Sequence, residues 1–287
     1  MSHLLTFDLE HWYEGYRYRN IKGWESHPHR DSLVIDWLLI LLNDCQVKAT
    51  FFTTGRFAQE FPQLIEKVVE NKHELASHSY SHTRVVDFPS LSKFNEDLGR
   101  SLTILRRISG SDDSVTGFRA PKWSLPSIDR NAYYQILIDN GLLYDSSLYP
   151  LNRSDTRYPH KIEINESATI WQIPAATFSI VGINIPAAGG LWLRLFPAAI
   201  SRLSLKQAEA AKMPTTIYLH PYDFDCPRIP VGWKLSQVLF YLARCYRLKQ
   251  TSGTLTDLLQ QFKFQSIKNW LDDNRCFTSD SGKMIEL

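Results

Sequence analysis

The cysteine patterns that mark thiolate metal sites and redox dithiols are missing from this sequence. Its four cysteines, Cys45, Cys226, Cys245 and Cys276, form no CxxC pair, so neither kind of site is indicated. An excess of charge of one sign is also missing, because 32 Lys and Arg residues are balanced by 30 Asp and Glu residues, leaving a formal net charge of +2. This balance gives no electrostatic basis for binding nucleic acid, which we exclude as an expected partner.

Long hydrophobic runs are absent as well. The longest apolar stretch, residues 33–42, is interrupted by Asp36 and is too short to span a bilayer. The N-terminal segment MSHLLTFDLEHW lacks the basic region and apolar run that are typical of a signal peptide. We therefore expect a cytoplasmic protein without a transmembrane segment, one that can still contact a lipid-linked glycan at the inner face of the membrane.

Neither an internal repeat nor a linker rich in Gly, Ser or Pro divides the 287 residues. Residues 4–8, 49–54 and 216–219 have strand character, and residues 31–43, 58–71 and 91–108, which lie between them, have helical spacing. Such alternation predicts βα units around a parallel sheet, hence an α/β fold. About seven such units favour a barrel over an open sheet, which remains the alternative.

The expected domain covers residues 1–265. Within it, the polar residues 152–167 are interpreted as a long loop. Residues 266–287 are expected to form a polar C-terminal tail.

Ionisable side chains collect where the predicted strands end. Asp8 and Glu10 follow the first strand, His78 and His82 the third, and Arg119, Asp145 and His220 follow later strands. In a βα barrel the carboxyl ends of the strands converge on one face, where active sites are built. We therefore expect these side chains to meet at one mouth, although they are far apart in the chain.

The segment HSYSH places His78 and His82 four residues apart. On a helical turn this spacing puts both imidazoles on one side, within reach of one metal ion. A lone HxxxH pair is weak evidence, because such histidines are more often surface or capping residues. A carboxylate at another strand end strengthens the hypothesis, since two His and one acid leave open positions on zinc for water and substrate.

The segment TFDLEH offers two such carboxylates. Alternation in an extended chain puts Asp8 and Glu10 on the same side. One can bind metal while the other takes a proton from water. The alternative is that Asp8 only caps a helix or a turn.

Three further residues complete the expected site. Arg119, in GFRAPKWS, is placed to hold a carboxylate through paired hydrogen bonds, with a structural salt bridge as the alternative. His220, in YLHPYDFD, is a candidate general acid, or else a core histidine. Asp145, in LYDSS, is a candidate to orient His220, or else a turn aspartate.

Taken in order, these segments resemble a known family. TFDLE, KATFFTTGRFAQEFPQLIEKVVENKHELASHSYSH, GFRAP, YDSS and LHPYDFD are similar to the motifs of the polysaccharide deacetylase family with a NodB-homology domain, carbohydrate esterase family 4. The segment IPAAGGLWLRLFP and the ending HPYDFD resemble the subgroup found with exopolysaccharide biosynthesis and protein-sorting systems.

The resemblance implies a distorted (β/α) barrel, usually with seven strands, and a divalent metal, usually zinc. It implies a hydrolase that removes N-acetyl groups from an amino-sugar polysaccharide or its lipid-linked precursor, in surface or exopolysaccharide biosynthesis. By motif, Asp8 resembles the general base, and Arg119 resembles the arginine that holds it. His78 and His82 resemble the metal-binding histidines, His220 resembles the catalytic acid, and Asp145 lies in the motif that supports the pocket.

The first motif departs from the common family form, which has two adjacent aspartates. Here Leu9 stands in the adjacent place and Glu10 follows it. We assign Glu10 as the metal ligand, while the division of roles between Asp8 and Glu10 stays open.

Several aromatic residues lie near the predicted strand ends. We expect Trp12, Trp123, Tyr149 and Tyr222 to contact sugar, because aromatic faces suit the apolar faces of pyranose rings. Packing in the core is the alternative for each.

For the whole protein, two rival functions remain: hydrolysis of a cyclic amide or ureide on the same fold, and sugar binding by a relic that has lost its metal.

Overall fold

The computed structural model describes residues 1–22, 24, 29–127, 129–165, 168–225 and 234–276. The strands, in chain order, are β1 (His3–Leu9), β2 (Thr50–Thr53), β3 (Glu74–Ser77), β4 (Gly117–Phe118), β5 (Tyr144–Asp145), β6 (His160–Asn165), β7 (Ala168–Gln172), β8 (Thr177–Ile180), β9 (Ile183–Pro186), β10 (Thr216–Leu219) and β11 (Phe264–Gln265). The helices are α1 (Glu14–Tyr18), α2 (Asp31–Asp44), α3 (Gly55–Glu60), α4 (Pro62–Glu70), α5 (Leu91–Ser109), α6 (Arg130–Asp139), α7 (Trp192–Leu195), α8 (Ala198–Ala210), α9 (Leu235–Cys245), α10 (Leu248–Gln261) and α11 (Ile267–Cys276).

Seven strands form a parallel sheet in the order β10-β1-β2-β3-β4-β5-β7. The chain just after β7 pairs back to β10 through a parallel bridge between Ala175 and Thr216. The sheet therefore curls round to its own first strand. This confirms the distorted (β/α) barrel with seven strands that the sequence predicts.

Successive side chains along a strand point to opposite faces of the sheet, so they contribute to two different apolar clusters. Leu5 and Phe7 of β1 belong to the large cluster under the helices, whereas Leu4 belongs to a smaller cluster inside the barrel. In β2, Phe51 faces the helices and Phe52 the interior. Both faces of these strands are buried, which explains why they are apolar almost throughout.

The predicted helix over residues 58–71 is two helices. α3 ends at Glu60 and α4 begins at Pro62. Proline cannot donate a backbone hydrogen bond, but it fits the first turn of a helix, so the chain stops one helix and starts another there.

The predicted long loop over residues 152–167 contains the strand β6. It pairs antiparallel with β7 at the edge of the sheet. Its side chains alternate between half-buried and exposed, so the polar composition of residues 160–165 reflects an edge strand with one solvated face. Residues 152–159 have no regular secondary structure, as the predicted loop requires.

The structure also differs from the polar tail expected after residue 265. Helix α11 places Ile267, Trp270 and Leu271 in the interior cluster. The Trp270 ring meets Trp171 edge to face, with 5.2 Å between ring centroids. The backbone N–H of Lys268 donates to Glu74, at the amino end of β3. α11 therefore covers the amino end of the barrel, while residues 277–287 of the expected tail lie outside the described residues.

Candidate active site

The carboxyl ends of the parallel strands surround a cavity of about 380 Å³. Asp8, Glu10, His78, His82 and His220 line it, although more than half of the chain separates the first from the last. Side chains at strand ends meet at one mouth because all seven parallel strands run in the same direction. The structure thus brings these five residues together at one mouth.

Glu10, His78 and His82 form a group that can hold a metal ion. One ligand atom from each lies within 4.8 Å of the others. The Nε2 atom of His78 lies 3.8 Å from the Glu10 carboxylate, and Nε2 of His82 contacts the same oxygen. Two imidazoles and one carboxylate are a donor set that suits zinc and leaves positions open.

The loop that carries the two histidines is not a helical turn. β3 ends at Ser77, and both Ser79 and His82 have positive φ, 65° and 58°. The backbone N–H groups of Tyr80 and Ser81 donate to the Asp97 carboxylate at 2.8 and 3.2 Å. The predicted helical conformation is therefore wrong, and a loop anchored to α5 brings the imidazoles together instead.

The second nitrogen of each histidine has its own partner. Nδ1 of His78 donates to the backbone carbonyl of Arg119 at 2.8 Å, which fixes the tautomer and leaves Nε2 as the ligand atom. Nδ1 of His82 lies 3.6 Å from the Glu14 carboxylate. The sequence analysis missed Glu14, for which no local pattern gives a signal.

Burial and charge set the protonation of this group. Burial lowers the pKa of His78 to about 4, so this imidazole is neutral at pH 7. Burial opposes ionisation of Glu10, yet His82, His220 and His78 outweigh it and hold the pKa of Glu10 well below its usual range. A neutral imidazole and an ionised carboxylate are the forms that bind a cation.

Of Glu10, His78 and His82, His82 is the residue that is protonated at pH 7. Burial disfavours its charged form, but the carboxylates of Glu10 and Glu14 outweigh that effect and raise the pKa of His82 to about 9. A cation bound between Glu10 and His82 would take the place of this proton, because metal and proton compete for the same lone pair.

Asp8 is held by Arg119. The Nη1 atom of Arg119 donates to Asp8 Oδ1 at 2.6 Å and to Thr6 Oγ1 at 2.9 Å. Nη2 donates to Ser146 Oγ at 2.9 Å, and the guanidinium lies over the rings of Phe52 and Trp123. Arg119 is fully buried, so its orientation fixes Asp8 Oδ1 and leaves Oδ2 facing the cavity.

His220 lines the same cavity as the metal-binding group. Its Nε2 atom is 3.7 Å from Asp8 Oδ2, and its Nδ1 donates to Asp223 Oδ2 at 3.0 Å. Arg194 in turn lies 3.1 Å from the other Asp223 oxygen. Burial lowers the pKa of His220, but the carboxylates of Asp223, Glu10 and Asp8 outweigh burial and raise it above its ordinary value.

Asp223 therefore has the place that the sequence analysis gave to Asp145. Asp145 instead accepts hydrogen bonds from Tyr133 Oη at 3.0 Å and from Ser147 Oγ, and burial raises its pKa to about 6. Asp145 holds the segment that carries Ser146. The carbonyl and hydroxyl oxygens of Ser146 accept hydrogen bonds from Arg119. The hydrogen bonds of Asp145 thus go to Tyr133 and Ser147 rather than to His220.

Of the two missed residues, Asp223 and Arg194, only Asp223 had a signal in the sequence. Asp223 comes three residues after His220 in HPYDFD, and Pro221 begins the short 3₁₀ turn that joins them. Asp223 accepts from both the backbone N–H and Nδ1 of His220. Arg194 lies in LWLRL, whose sequence does not announce a buried ion pair.

The four aromatic residues expected to contact sugar divide into two pairs. Trp123 and Tyr222 line the cavity. The Tyr222 ring stacks on His220 at 4.4 Å, and its hydroxyl donates to Glu10 at 2.8 Å. Trp12 is buried against neighbouring tyrosines, and Tyr149 lies behind Trp123. The structure thus leaves Trp12 and Tyr149 in packing positions.

The turn after Arg119 is unusual in its backbone. Lys122 and Trp123 both have φ of 55°, a left-handed conformation that residues with a Cβ adopt rarely. This turn brings the ammonium group of Lys122 to 2.9 Å from the centroid of the Tyr18 ring, at the edge of the cavity. Burial lowers the pKa of Lys122 to about 8.

Among the described helices, none combines the length and the apolar character needed to cross a bilayer.

Comparison with protein families gives two adjoining matches. Residues 26–136 match the family described as polysaccharide deacetylase. Residues 146–272 match a family described as a domain of unknown function (DUF3473). The first match contains His78, His82 and Arg119, and the second contains Arg194, His220 and Asp223, so the cavity is built from both.

Two curated relatives align with parts of the chain. A peptidoglycan deacetylase of Helicobacter pylori is 30% identical over 112 residues, which are 39% of this chain and 36% of the relative. A peptidoglycan-N-acetylglucosamine deacetylase of Bacillus cereus is 36% identical over 78 residues, 25% of this chain and 26% of the relative. The aligned segments therefore span about a third or less of these relatives' own length.

A solved structure matches over the full chain. It is a Mycobacterium smegmatis structure assigned to the polysaccharide deacetylases, with a TM-score of 0.64 and 18% identity, and the match covers 100% of this chain and 96% of the other. At this identity the likeness establishes the fold.

Proposed function

We propose that this chain, which carries a polysaccharide deacetylase domain, is a metal-dependent hydrolase that removes N-acetyl groups from an amino-sugar polysaccharide or its lipid-linked precursor. The family supports N-deacetylation of glycans. The observation that carries the finer proposal is the joint placement of Asp8 and His220, 3.7 Å apart, beside the group of Glu10, His78 and His82.

Glu10, His78 and His82 fit a divalent cation, which we expect to be zinc. The Nδ1 hydrogen bond of His78 directs its free nitrogen towards the other two ligands, and burial keeps that imidazole neutral. When bound, the cation supplies Lewis acidity, which lowers the pKa of water and polarises a carbonyl.

Asp8 is our candidate for the general base. A single hydrogen bond from Arg119 Nη1 fixes one oxygen of Asp8, and the other faces the cavity, where it can accept a proton from the attacking water. Glu10 then keeps the role of ligand, because its carboxylate, and not that of Asp8, contacts the two histidines most closely.

His220 is our candidate for the general acid. Asp223 fixes Nδ1, so Nε2 is the atom that donates a proton to the departing amine. The raised pKa of His220 favours the protonated form that this step needs. The net reaction consumes one water and yields acetate and the free amino sugar.

The substrate is recognised next to these groups. Trp123 and Tyr222 present aromatic surface in the cavity, where the apolar face of a pyranose ring can stack. The two curated relatives are named for peptidoglycan. For this chain we propose the broader class of N-acetylated glycans.

Acetate release from N-acetylglucosamine oligomers, measured alongside hydrolysis of a cyclic ureide, tests the proposal. We expect acetate release only, and we expect Asp8→Asn to lower kcat about a hundredfold or more, because it removes the base. Asp36→Asn is the matched control, since Asp36 is half-buried on α2, where it pairs with Lys67. Full turnover by Asp8→Asn would contradict the role, and ureide hydrolysis without acetate release would favour the rival enzyme.

The same preparations separate catalysis from metal-free sugar binding. We expect elemental analysis to find about one divalent ion per chain in the wild type, and much less in His78→Ala. Asp8→Asn should keep its ion, because Asp8 is not among the proposed ligands. A metal-free wild type that binds oligomers without releasing acetate would favour the sugar-binding relic.

A further inference from the structure

Helix α9 presents an apolar stripe to solvent. Leu235, Leu239 and Leu242 are 71%, 56% and 56% exposed, and Tyr246, just past the helix end, is 46% exposed. Their spacing of four and then three residues puts the leucines on one face. Single exposed apolar residues are common on protein surfaces, whereas contiguous exposed apolar surface often marks an interaction site.

The opposite face of α9 fixes the helix to the protein. The Phe240 ring meets Tyr16 edge to face at 5.2 Å, and the Arg244 guanidinium lies 3.9 Å from the centroid of the Tyr222 ring. These contacts hold α9 with its leucines facing outward. The helix can therefore bury them against a partner without rotating about its axis.

The chain around the stripe is basic. Residues 226–256 contain Arg228, Lys234, Arg244, Arg247 and Lys249 and no Asp or Glu. Lys234, Arg247 and Lys249 are exposed. A helix with a leucine-rich face, flanked by cations and without acids, has the composition of a helix that lies in the interface of a membrane.

We propose that α9 docks this protein onto the surface of an anionic lipid bilayer, with Leu235, Leu239 and Leu242 inserted among the headgroups. The flanking cations complement acidic lipids. A second copy of the chain fits less well. A twofold contact through this stripe would bring two sets of these cations together without a single acid from the same segment to neutralise them.

The docked helix also borders the candidate active site. Phe240, Ala243 and Arg244 line the cavity together with Tyr222 and His220. Docking through α9 would therefore bring the mouth of the cavity close to the headgroups. If the proposed deacetylase activity holds, the substrate that this arrangement favours is an N-acetylated glycan attached to a lipid.

Co-sedimentation of the full chain with vesicles tests the docking. Two kinds are compared, phosphatidylcholine alone and phosphatidylcholine with about one third phosphatidylglycerol. We expect binding to the anionic vesicles that weakens as salt rises. The double variant Leu239→Ser/Leu242→Ser should bind about tenfold more weakly or worse, because two apolar side chains no longer insert.

A second variant isolates the charge. Lys234→Gln/Arg247→Gln/Lys249→Gln should lose about fivefold in affinity for each cation removed, and it should lose the preference for anionic vesicles. The matched control is Leu33→Ser/Ile40→Ser, two residues of α2 that are 63% and 62% exposed. It should bind as the wild type does, because α2 also carries Asp31, Asp36 and Asp44.

Acetate release from a soluble oligomer is measured on every variant. Unchanged release shows that the protein is folded, so weaker vesicle binding is then a property of the surface. Absence of vesicle binding by the wild type overturns the docking, as does equal binding by the leucine variant. A wild-type dimer in solution that the leucine variant dissociates, without vesicle binding, assigns the stripe to a second copy instead. Vesicle binding by a chain that releases no acetate supports the docking and contradicts only the proposed function.

Discussion

His220 is held between two acidic groups and one aromatic ring. Asp223 accepts from its Nδ1, Asp8 lies 3.7 Å from its Nε2, and Tyr222 stacks on the imidazole. Only Nε2 is left for the proton transfer that we propose for His220. The chain Arg194–Asp223–His220 thus fixes which nitrogen would donate. Burial opposes ionisation of Asp223, but His220 and then Arg194 outweigh it and lower the pKa of Asp223.

Asp223→Asn tests this arrangement through the pH dependence of the rate. The Asp223 carboxylate helps to raise the pKa of His220, so its loss lowers that pKa. Because a general acid works in its protonated form, the rate falls as pH rises through the pKa. We therefore expect the basic limb of the kcat profile to move to lower pH, with kcat reduced about a hundredfold at its maximum.

Two comparisons keep this prediction distinct from a loss of folding. Asp225→Asn changes a neighbouring acid that pairs with Arg30 at the surface, and it should leave the profile unchanged. If Asp223→Asn loses activity while the basic limb of its kcat profile stays at the wild-type pH, Asp223 supports the structure and does not set the pKa of His220.

At the scale of the elements, the two-residue strand β4 positions Arg119, which holds Asp8. β4 is only Gly117 and Phe118, and Arg119 follows directly. The Tyr144 ring of the neighbouring strand lies across Gly117, so that a Cβ built there would be 2.0 Å from the ring. Glycine is required at this point because the barrel interior has no room for a side chain.

Gly117→Ala should therefore destabilise the protein. We expect the free energy of unfolding to fall by about 3 kcal/mol, because either the tyrosine or the strand has to move. Urea denaturation followed by circular dichroism measures the change.

Gly99→Ala is the control for the prediction about Gly117. Gly99 lies in α5 with open space around its Cα, so alanine should stabilise the helix by about 0.5–1 kcal/mol. Equal stability of Gly117→Ala and the wild type would show that Tyr144 adjusts freely.

On the scale of the whole molecule, the barrel has one functional end and one closed end. The cavity lies at the carboxyl ends of the strands, whereas α11 covers the amino ends. Ile267, Trp270 and Leu271 complete an apolar interior with Leu4 and Phe52. The backbone N–H of Ile267 donates to Thr50 at 2.9 Å, so polar groups also join α11 to the sheet.

Trp270→Ala should cost about 3–5 kcal/mol of stability, because it empties a large site in this interior. Since Trp270 is 8% exposed and lies away from the cavity, kcat should be unchanged well below the unfolding temperature. Thermal and urea unfolding measure the first effect, and acetate release measures the second.

Lys268→Ala provides the comparison on the same helix. The Lys268 side chain forms an exposed pair with Asp272, and its backbone N–H still reaches Glu74, so we expect a change below about 1 kcal/mol. If Trp270→Ala is no less stable than Lys268→Ala, α11 does not close the barrel in the way described.

The sequence by itself determined the α/β class, the strand ends and the residues that meet there. This was possible because strand character and the order of the motifs are local properties, and parallel strands bring their carboxyl ends together whatever the details of packing. Asp8, Glu10, His78, His82 and His220 were found in this way.

Only the tertiary structure decided which groups support those residues. Asp223 rather than Asp145 orients His220, Glu14 lies beside His82, and α11 belongs to the core although its sequence is largely polar. Glu14 and α11 depend on contacts between segments whose spacing in the chain carries no period, whereas Asp223 lies three residues after His220 and reaches it through the short turn at Pro221. The physical reason is that burial and hydrogen-bond partners arise from how the elements lie across one another, and the alternation of residues within a single element does not encode that.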